Sequence, residues 1–269
     1  MPKIKVNDIN LYYEEYGQGE PVVFIAGFTA DHNAWNNIRD EYAKQYRVIV
    51  LDNRGTGQTE APDYPYTIEM MADDVAGLCK HLHLEPAHFI GNSMGGFIVQ
   101  QIAYKYPKLV KSLVISNSFL RLENIKLKLV VEGKVTLLEA GMSPIAIDKT
   151  DIGWAFSEEY LQRPGVLDLM LKYRLENPFP MTVANYKNQS NALFTFDSSP
   201  WAHKITQLCL VIGTDADLIF PRKQVKKLAT TIPNAEFHCI TDGVAHVPHL
   251  EQPKKFNRLV KKSLAQNTK

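Results

Sequence analysis

A serine in a glycine-rich segment carries the strongest chemical signal in this chain. The segment Gly91-Asn92-Ser93-Met94-Gly95 has the spacing Gly-x-Ser-x-Gly and lies between an apolar run at 87–90 and a helical pattern at 97–106. A tight turn from strand to helix needs small residues beside the serine, and it exposes the hydroxyl at the positive end of the next helix. The pattern therefore predicts that Ser93 is a nucleophile.

A neutral serine hydroxyl is a poor nucleophile, so it needs a base and an acid that orients the base. In folds with a strand-turn-helix nucleophile, the acid and then the histidine follow the serine along the chain, in loops after later strands. Asp217 lies just after the apolar run at 208–212, and His246 follows the predicted strand at 235–240. We expect Asp217 and His246 to form a triad with Ser93.

Neighbouring residues compete for these two roles. Asp215 lies two residues before Asp217 and remains an alternative acid. His249 lies three residues after His246, and we expect it to pack or cap beside the last helix. Asn117 ends another predicted strand, where some related folds place an alternative acid, but an amide cannot act as a carboxylate.

Hydrophobic patterns predict the elements that position these residues. Short, continuous apolar runs are typical of strands buried on both faces of a parallel sheet, and they occur at 22–26, 48–51, 87–90, 113–115 and 208–212. Helical patterns lie between and after them, at 35–46, 68–82, 97–106, 222–231 and 253–265. Residues 4–6 and 9–16 alternate across Asn7-Asp8, as in a hairpin. The order predicts an α/β fold with helices on both faces of a mostly parallel sheet.

The alternation of strand and helix stops after Ser118 and resumes near Leu208. The segment between them has helical patterns at 123–140, 164–174 and 181–193, with prolines, including Pro144, as breaks. We predict a helical cap at residues 119–204, inserted into a core domain formed by residues 1–118 and 205–269. Because ligand sites favour such interfaces, we expect a substrate cavity between cap and core.

The charge balance and hydropathy exclude several classes of partner. The 269 residues include 30 Lys and Arg and 29 Asp and Glu, a net charge of +1, so neither nucleic acid nor an anionic membrane is an expected partner. No apolar run reaches the length of about 18 residues that would predict a membrane span. The first residues lack the apolar run of a signal peptide, and we expect a cytoplasmic protein. The oligomeric state stays open.

Cysteine and histidine positions argue against disulfides and metals. The three cysteines, Cys79, Cys209 and Cys239, lie in apolar surroundings and are expected to be reduced core residues. The histidine pairs at 81/83 and 246/249 come without further ligands. We therefore expect neither a metal site nor a cofactor.

These segments together resemble the α/β-hydrolase superfamily over essentially the whole chain. Within it they are most similar to serine hydrolases of the 3-oxoadipate enol-lactonase-like and small carboxylesterase-like groups. The matching stretches are 24–28 with Trp35, 51–59, the segment around Ser93, Asp217 with Pro221, and His246 with Glu251 and Pro253. The resemblance implies the α/β-hydrolase fold, with Ser93 as nucleophile, His246 as base and Asp217 as acid.

The resemblance also implies an oxyanion hole formed by the backbone N–H groups of Phe28 and Met94. Many relatives have a histidine before the Gly-Phe of this loop, whereas this chain has Ala26. The hole uses main-chain donors, so the chemistry is retained. The hydrogen bonds that hold the loop must nevertheless differ.

The resemblance gives the conspicuous charges after the second parallel strand a structural role. Asp52 and Arg54, with their neighbouring glycines, are expected to form a turn in which the charges pair locally. His32 follows the oxyanion loop, and we expect it in a solvent-facing position.

The expected reaction is hydrolysis of a carboxylic ester or lactone of a small, largely apolar substrate through an acyl-enzyme. One alternative is carbon–carbon bond hydrolysis of the meta-cleavage-product type, because the Ser93 segment is similar to the nucleophile turn of those enzymes. The other is a ligand-binding or signalling protein on a hydrolase scaffold. The sequence does not fix the physiological substrate or its acyl-chain length.

Overall fold

In the computed structural model, which describes residues 3–266, the strands form one eight-stranded sheet. The strands are β1 (Lys3–Val6), β2 (Ile9–Tyr16), β3 (Glu20–Ile25), β4 (Tyr46–Leu51), β5 (Ala87–Asn92), β6 (Val110–Ser116), β7 (Leu208–Thr214) and β8 (Ala235–Ile240). Their order across the sheet is β1-β2-β4-β3-β5-β6-β7-β8. β1 and β2 form the predicted antiparallel hairpin, β2 runs antiparallel to β4, and the other neighbours are parallel.

The described chain also contains eleven α-helices. They are α1 (Asn36–Ala43), α2 (Ile68–His81), α3 (Met94–Lys105), α4 (Ile125–Glu139), α5 (Pro144–Ala155), α6 (Glu158–Leu161), α7 (Val166–Glu176), α8 (Val183–Thr195), α9 (Arg222–Thr231), α10 (Pro248–Glu251) and α11 (Pro253–Ala265). The predicted helix at 35–46 is too long at its end, because Tyr46 already pairs with Glu20 as the first residue of β4.

The inner parallel strands, β3 to β7, are buried on both faces along their apolar runs, whereas the edge strand β8 is only partly buried. In β3, Val23 and Ile25 belong to a hydrophobic cluster shared with α2, α3 and α9. The alternate residues Val22 and Phe24 belong to a second cluster, shared with α1 and α11. Successive side chains of a strand point to opposite faces, so a strand with helices on both sides needs apolar residues in an unbroken run. The helices on both faces confirm the predicted architecture.

Helices α4 to α8 lie between β6 and β7, where the sequence predicts a cap. Arg121 and Asp197 form an isolated antiparallel bridge where the chain enters and leaves this group of helices. Buried residues of α4 and α8, including Leu127 and Leu193, join the hydrophobic cluster of α2, α3 and α9. The division at residues 119–204 stays a prediction, and residues 1, 2 and 267–269 of the predicted core domain lie outside the described residues.

Cys79 and Cys209 are buried, Cys239 is half-buried, and all three thiols are free. Within residues 3–266, no helix is both long enough and apolar enough to cross a membrane.

Candidate active site

Ser93 lies at the sharp turn between β5 and α3. Its φ of 57° and ψ of −123° fall in a region that non-glycine residues rarely adopt, at a cost on the order of 1–3 kcal/mol. The Ser93 N–H donates to the carbonyl of Ser116 at 2.9 Å, and the Ser93 carbonyl accepts from Gly96 at 2.9 Å. The surrounding backbone therefore holds Ser93 in its strained conformation.

Two glycines in this turn are required by the close approach of neighbouring backbone. A Cβ on Gly91 would lie 2.3 Å from the carbonyl oxygen of Gly95. A Cβ on Gly95 would lie 2.1 Å from the carbonyl oxygen of Ile25 in β3. The Gly-x-Ser-x-Gly pattern thus follows from the packing of the turn onto the sheet.

His246 and Asp217 are in direct hydrogen-bond contact. The Nδ1 of His246 lies 2.8 Å from the Oδ2 of Asp217, and the carboxylate side chain is fully buried. The other oxygen, Oδ1, accepts from the backbone N–H groups of Ile219 and Phe220 at 2.8 and 2.9 Å. The arrangement favours a proton on Nδ1 and leaves Nε2 as the basic nitrogen.

The Ser93 turn and the His246 loop are both bound at the end of β6. The carbonyl of Ser116 accepts from the Ser93 N–H at 2.9 Å, and the next residue, Asn117, donates from Nδ2 to the carbonyl of His246 at 2.9 Å. Two consecutive residues therefore bind the backbones of the serine turn and of the histidine loop. Within residues 3–266, however, no hydrogen bond joins the Ser93 hydroxyl to the imidazole of His246.

Asn117 has a role that the sequence did not reveal. Its Nδ2 also lies 3.0 Å from the Thr214 hydroxyl and 3.2 Å from the carbonyl of Ala245. The residue is fully buried and has a left-handed φ of 41°. Asn117 therefore fixes the loop of His246. The only feature of the sequence that draws attention to Asn117 is its position at the end of a predicted strand.

The competing residues do not reach the same partners. The carboxylate of Asp215 accepts from the backbone of Gly243 and Val244, at 3.3 and 3.0 Å. The ring of His249 lies 4.4 Å from that of Trp35. Burial lowers the pKa of His249 to about 3, so this ring stays neutral and packs as expected.

The loop that carries Phe28 runs beside Ser93. A Cβ on Gly27 would lie 3.0 Å from the Cβ of Ser93. The N–H of Met94 is the first of α3, so it lacks an acceptor within the helix. Neither the Phe28 N–H nor the Met94 N–H donates a hydrogen bond to another residue in the range 3–266. Both N–H groups therefore lack an acceptor in this part of the chain, as the predicted oxyanion hole requires.

The hydrogen bonds that hold this loop come from two side chains that the sequence did not single out. Asn53 donates from Nδ2 to the carbonyl of Ala26 at 3.1 Å. The N–H of Thr29 donates to the Oε1 of Gln189 in α8 at 3.0 Å. An amide in the middle of a helix gives no sequence signal for such a contact, because its partner lies 160 residues away.

The charges after β4 do not pair with each other. Asp52 accepts from the backbone N–H of His32 at 2.8 Å and lies 2.7 Å from its ring Nδ1. Arg54 forms two hydrogen bonds with the carboxylate of Asp74, at 2.6 and 2.8 Å. The predicted local pairing is wrong for Arg54, because its partner lies on α2. The predicted solvent-facing position is wrong for His32, because this residue is only 7% exposed.

The hydrogen bond to Asp52 changes the titration of His32. Burial lowers the pKa of His32, but the hydrogen bond and negative charge of Asp52, together with the charges of Asp31 and Glu14, raise the pKa above its ordinary value. The ring of His32 therefore holds its proton to a higher pH in the folded protein than an ordinary histidine does.

A cavity of about 250 Å³ lies between the core loops and the helices of the predicted cap. Thr29, Asp31, Thr56 and Gly57 line it from the core side, and residues of α4, α5, α7, α8 and the loops beside them line it from the other side. The lining residues do not include Ser93, Asp217 or His246. The loop that begins beside Ser93 at Gly27 reaches the cavity at Thr29, a span of at most about 7 Å for two residues.

Residues 20–253 match the protein family described as alpha/beta hydrolase fold. The chain belongs to this family. The match covers most of the chain, including all three residues of the predicted triad, and it confirms the superfamily and the fold class predicted from the sequence. Membership in this family indicates that the chain has hydrolase activity.

Individual relatives are similar over nearly the whole chain. The putative non-heme bromoperoxidase BpoC of Mycobacterium tuberculosis is 29% identical over 266 residues, which cover 96% of this chain and 98% of that protein. The structure of a thermophilic esterase from Thermogutta terrifontis is 27% identical, with a TM-score of 0.86 and 100% coverage of both chains. Est816, described as an N-acyl homoserine lactone degrading enzyme, is 27% identical with a TM-score of 0.81, covering 97% of this chain and 99% of that one.

Proposed function

We propose that this α/β hydrolase cleaves a carboxylic ester or lactone of a small molecule, with Ser93 as nucleophile, His246 as base and Asp217 as acid. The observation that carries the proposal is the 2.8 Å hydrogen bond between Nδ1 of His246 and the buried carboxylate of Asp217. Serine acyl transfer requires an imidazole that a carboxylate orients near the serine, and a buried imidazole–carboxylate pair whose loop is bound to the end of β6, as the serine turn is, supports that role.

In the proposed reaction, Nε2 of His246 takes the proton of the Ser93 hydroxyl while Oγ attacks the substrate carbonyl. The N–H groups of Phe28 and Met94 hold the oxygen that becomes negative. His246 then gives its proton to the leaving alcohol, and the acyl group stays on Ser93. Water repeats the same steps, releasing the acid and restoring the serine. The Ser93–His246 hydrogen bond has to form with substrate bound, and such bonds commonly tighten in the complex.

The choice of ester or lactone rests on the nucleophile and on similarity. A serine nucleophile forms an acyl ester, which water can hydrolyse through the same base. The Thermogutta terrifontis protein is named as an esterase, and Est816 is described as degrading a lactone. Both are similar to this chain over nearly its full length. The same chemistry is therefore the best-supported proposal for Ser93.

The cavity modifies the expected substrate. The sequence predicts a largely apolar substrate, but the lining includes Asp148, Asp151 and Arg174 beside apolar residues such as Ile147. Arg174 lies 3.7 Å from Asp148 as an ion pair. We therefore extend the proposal to small esters or lactones that carry a polar group on the part of the molecule held by the cavity.

The test is turnover of p-nitrophenyl butyrate by the parent protein and by Ser93→Ala. We expect the variant to fold and to lose at least about 1,000-fold in kcat, because the nucleophile is removed. A fluorophosphonate probe should label the parent at Ser93, as mapped by mass spectrometry. Ser118→Ala is the matched control, because Ser118 is also buried and its hydroxyl has no hydrogen-bond partner within residues 3–266.

Retention of parent-like kcat by Ser93→Ala would refute the assignment. Labelling with a single turnover and no sustained product release would instead favour a binding or signalling role.

A further inference from the structure

Gln189 is a buried polar residue in α8 whose hydrogen-bonding groups are all used. It is 0% exposed. Its Oε1 accepts from the Thr29 N–H at 3.0 Å, and its Nε2 donates to the Arg54 carbonyl at 3.1 Å and to the Thr56 hydroxyl at 2.6 Å. Because the Thr29 N–H can only donate and the Arg54 carbonyl can only accept, the orientation of the amide is fixed.

The contact with Thr29 lies one residue from Phe28. Thr29 has a left-handed φ of 64°, which a β-branched residue adopts only when the surrounding structure enforces it. The bond to Gln189 is the hydrogen bond that the Thr29 N–H makes in this conformation. Loss of the Gln189 oxygen would leave this N–H without its acceptor and would release the loop next to the Phe28 N–H.

A second side chain of α8 touches the same loop. The ring of Tyr186 packs edge to face on that of Phe28, with centroids 4.8 Å apart. Residues three apart share one face of a helix, so a single face of α8 contacts both Phe28 and Thr29. The methyl side chain of Ala26, at the start of this loop, offers no hydrogen bond. Gln189 therefore gives this loop a polar side-chain contact, which the side chain of Ala26 cannot provide.

We propose that Gln189 is a positioning residue for the oxyanion hole, which fixes the Phe28 N–H through Thr29 without touching the substrate. This inference rests on the proposed function, in which the Phe28 N–H holds the oxyanion. Removing one such donor outright costs on the order of 100-fold to 1,000-fold in kcat. Because loosening a donor is less severe than removing it, we expect a loss of about 10-fold to 100-fold from a variant that lacks the Gln189 hydrogen bonds.

The test compares Gln189→Met with Asn191→Leu. Methionine has a similar length and no amide, so it removes all three bonds of Gln189. Asn191 is the matched control, because it also donates from α8 to a core carbonyl, that of Tyr66 at 2.9 Å, but does not contact the loop of Phe28. The measurements are kcat and KM for p-nitrophenyl butyrate, the second-order rate of fluorophosphonate labelling at Ser93, and the thermal unfolding midpoint.

We expect Gln189→Met to keep KM within about 3-fold while kcat and the labelling rate fall together by about 10-fold to 100-fold. Asn191→Leu should lower the unfolding midpoint and leave both rates within about 3-fold of the parent. A purely structural role of Gln189 would lower the midpoint in both variants without this selective loss of rate. Equal losses of rate in the two variants, or parent-like rates in Gln189→Met, overturn the inference.

Gln189→Glu keeps the test decisive if the methionine variant does not fold. Glutamate retains an oxygen that can accept from the Thr29 N–H but loses both donors. We compare Gln189→Glu with a folded variant that lacks this oxygen, such as Gln189→Leu. Per folded molecule, the labelling rate of Gln189→Glu should be closer to that of the parent. The reverse order refutes the role of Thr29. If the parent protein is neither labelled at Ser93 nor active on esters, the proposed function is refuted, and this inference with it. If the parent is active and the Gln189 variants are unaffected, only the inference is refuted.

Discussion

The substitution Asp217→Asn is predicted to reverse the tautomer of His246 while the backbone stays in place. The Oδ1 of Asp217 accepts from the N–H groups of Ile219 and Phe220. The amide oxygen of asparagine must take this position, because the amide nitrogen would otherwise face two donors. The NH₂ group then faces Nδ1 of His246, which has to become an acceptor. The ring proton moves to Nε2, the nitrogen that must take the proton of Ser93.

The expected loss is large in rate and small in stability. Asparagine keeps the shape of the side chain and two of the three hydrogen bonds of Asp217 unchanged, and the third, to Nδ1 of His246, reverses its direction and loses its charge. We expect the free energy of unfolding to fall by no more than about 2–3 kcal/mol, the value of a hydrogen bond to a charged group. A reversed tautomer should lower kcat by about 1,000-fold to 10,000-fold, which corresponds to about 4–5.5 kcal/mol of barrier. Steady-state kinetics with p-nitrophenyl butyrate and urea unfolding measure the two effects separately.

Asp215→Asn is the control, because it removes the same charge only two residues away from Asp217. The carboxylate of Asp215 accepts from the backbone of Gly243 and Val244. The kcat of Asp215→Asn should stay within about 3-fold of the parent, as for a surface change outside the site. The reasoning fails if Asp217→Asn keeps more than about a tenth of the parent kcat, a loss of under about 1.4 kcal/mol. It also fails if Asp215→Asn is the more damaging variant.

Two predictions concern the polar groups after β4. Because Asp52 raises the pKa of His32, protonation of the ring stabilises the fold below its ordinary pKa of about 6.5, and this contribution is lost as pH rises through the higher folded pKa. His32→Gln should therefore lower the free energy of unfolding more at about pH 5.5 than at about pH 9 in urea titrations, and an equal effect at both would contradict the pairing. Arg54→Met leaves the carboxylate of Asp74, which is 2% exposed, without its main partner, and should cost about 3–5 kcal/mol. Arg47→Met, which breaks a half-exposed ion pair, should cost under about 1 kcal/mol, and similar costs in the two variants would refute the importance of burial.

The sheet could be predicted because both of its faces are buried. A strand such as β5 has no exposed face, so its apolar run is continuous and short, unlike the periodic pattern of a helix. The loops of Asp217 and His246 were also predictable, because the carboxyl ends of parallel strands share one edge. These features depend on the local order of residues, and the sequence displays that order directly.

The sequence pattern does not predict helix α5, because Pro144 is typical of a break between helices. Proline is also favoured in the first turn of a helix, where its missing N–H has no intrahelical acceptor, and Pro144 is the first residue of α5. Ile147 and Ile152 are the buried residues of this helix, so its apolar face is too sparse for a clear helical period. Its last residue, Ala155, accepts from the backbone N–H of His246 at 3.0 Å, a contact between main-chain atoms that side-chain patterns do not reveal.

The polar partners escaped prediction for a different reason. Arg54 and Asp74 are 20 residues apart, and a turn, a loop and part of α2 separate them. Pairing at that distance depends on how α2 packs on the sheet, and the charges themselves are compatible with many partners. The sequence therefore shows that a charged residue such as Arg54 lies at the end of a strand, but it does not show which residue pairs with it.

Asn117 shows how the structure narrows the assignment of the acid. From the sequence, this position is a candidate for an alternative acid, but the residue found there is an amide. Its Nδ2 donates to the carbonyls of Ala245 and His246, a contact that a carboxylate could not make because it has no proton to donate. An aspartate at this position would face carbonyl oxygens and repel the loop of His246. Asn117 therefore holds the loop of His246 in place, and Asp217 is the carboxylate that contacts the imidazole within residues 3–266.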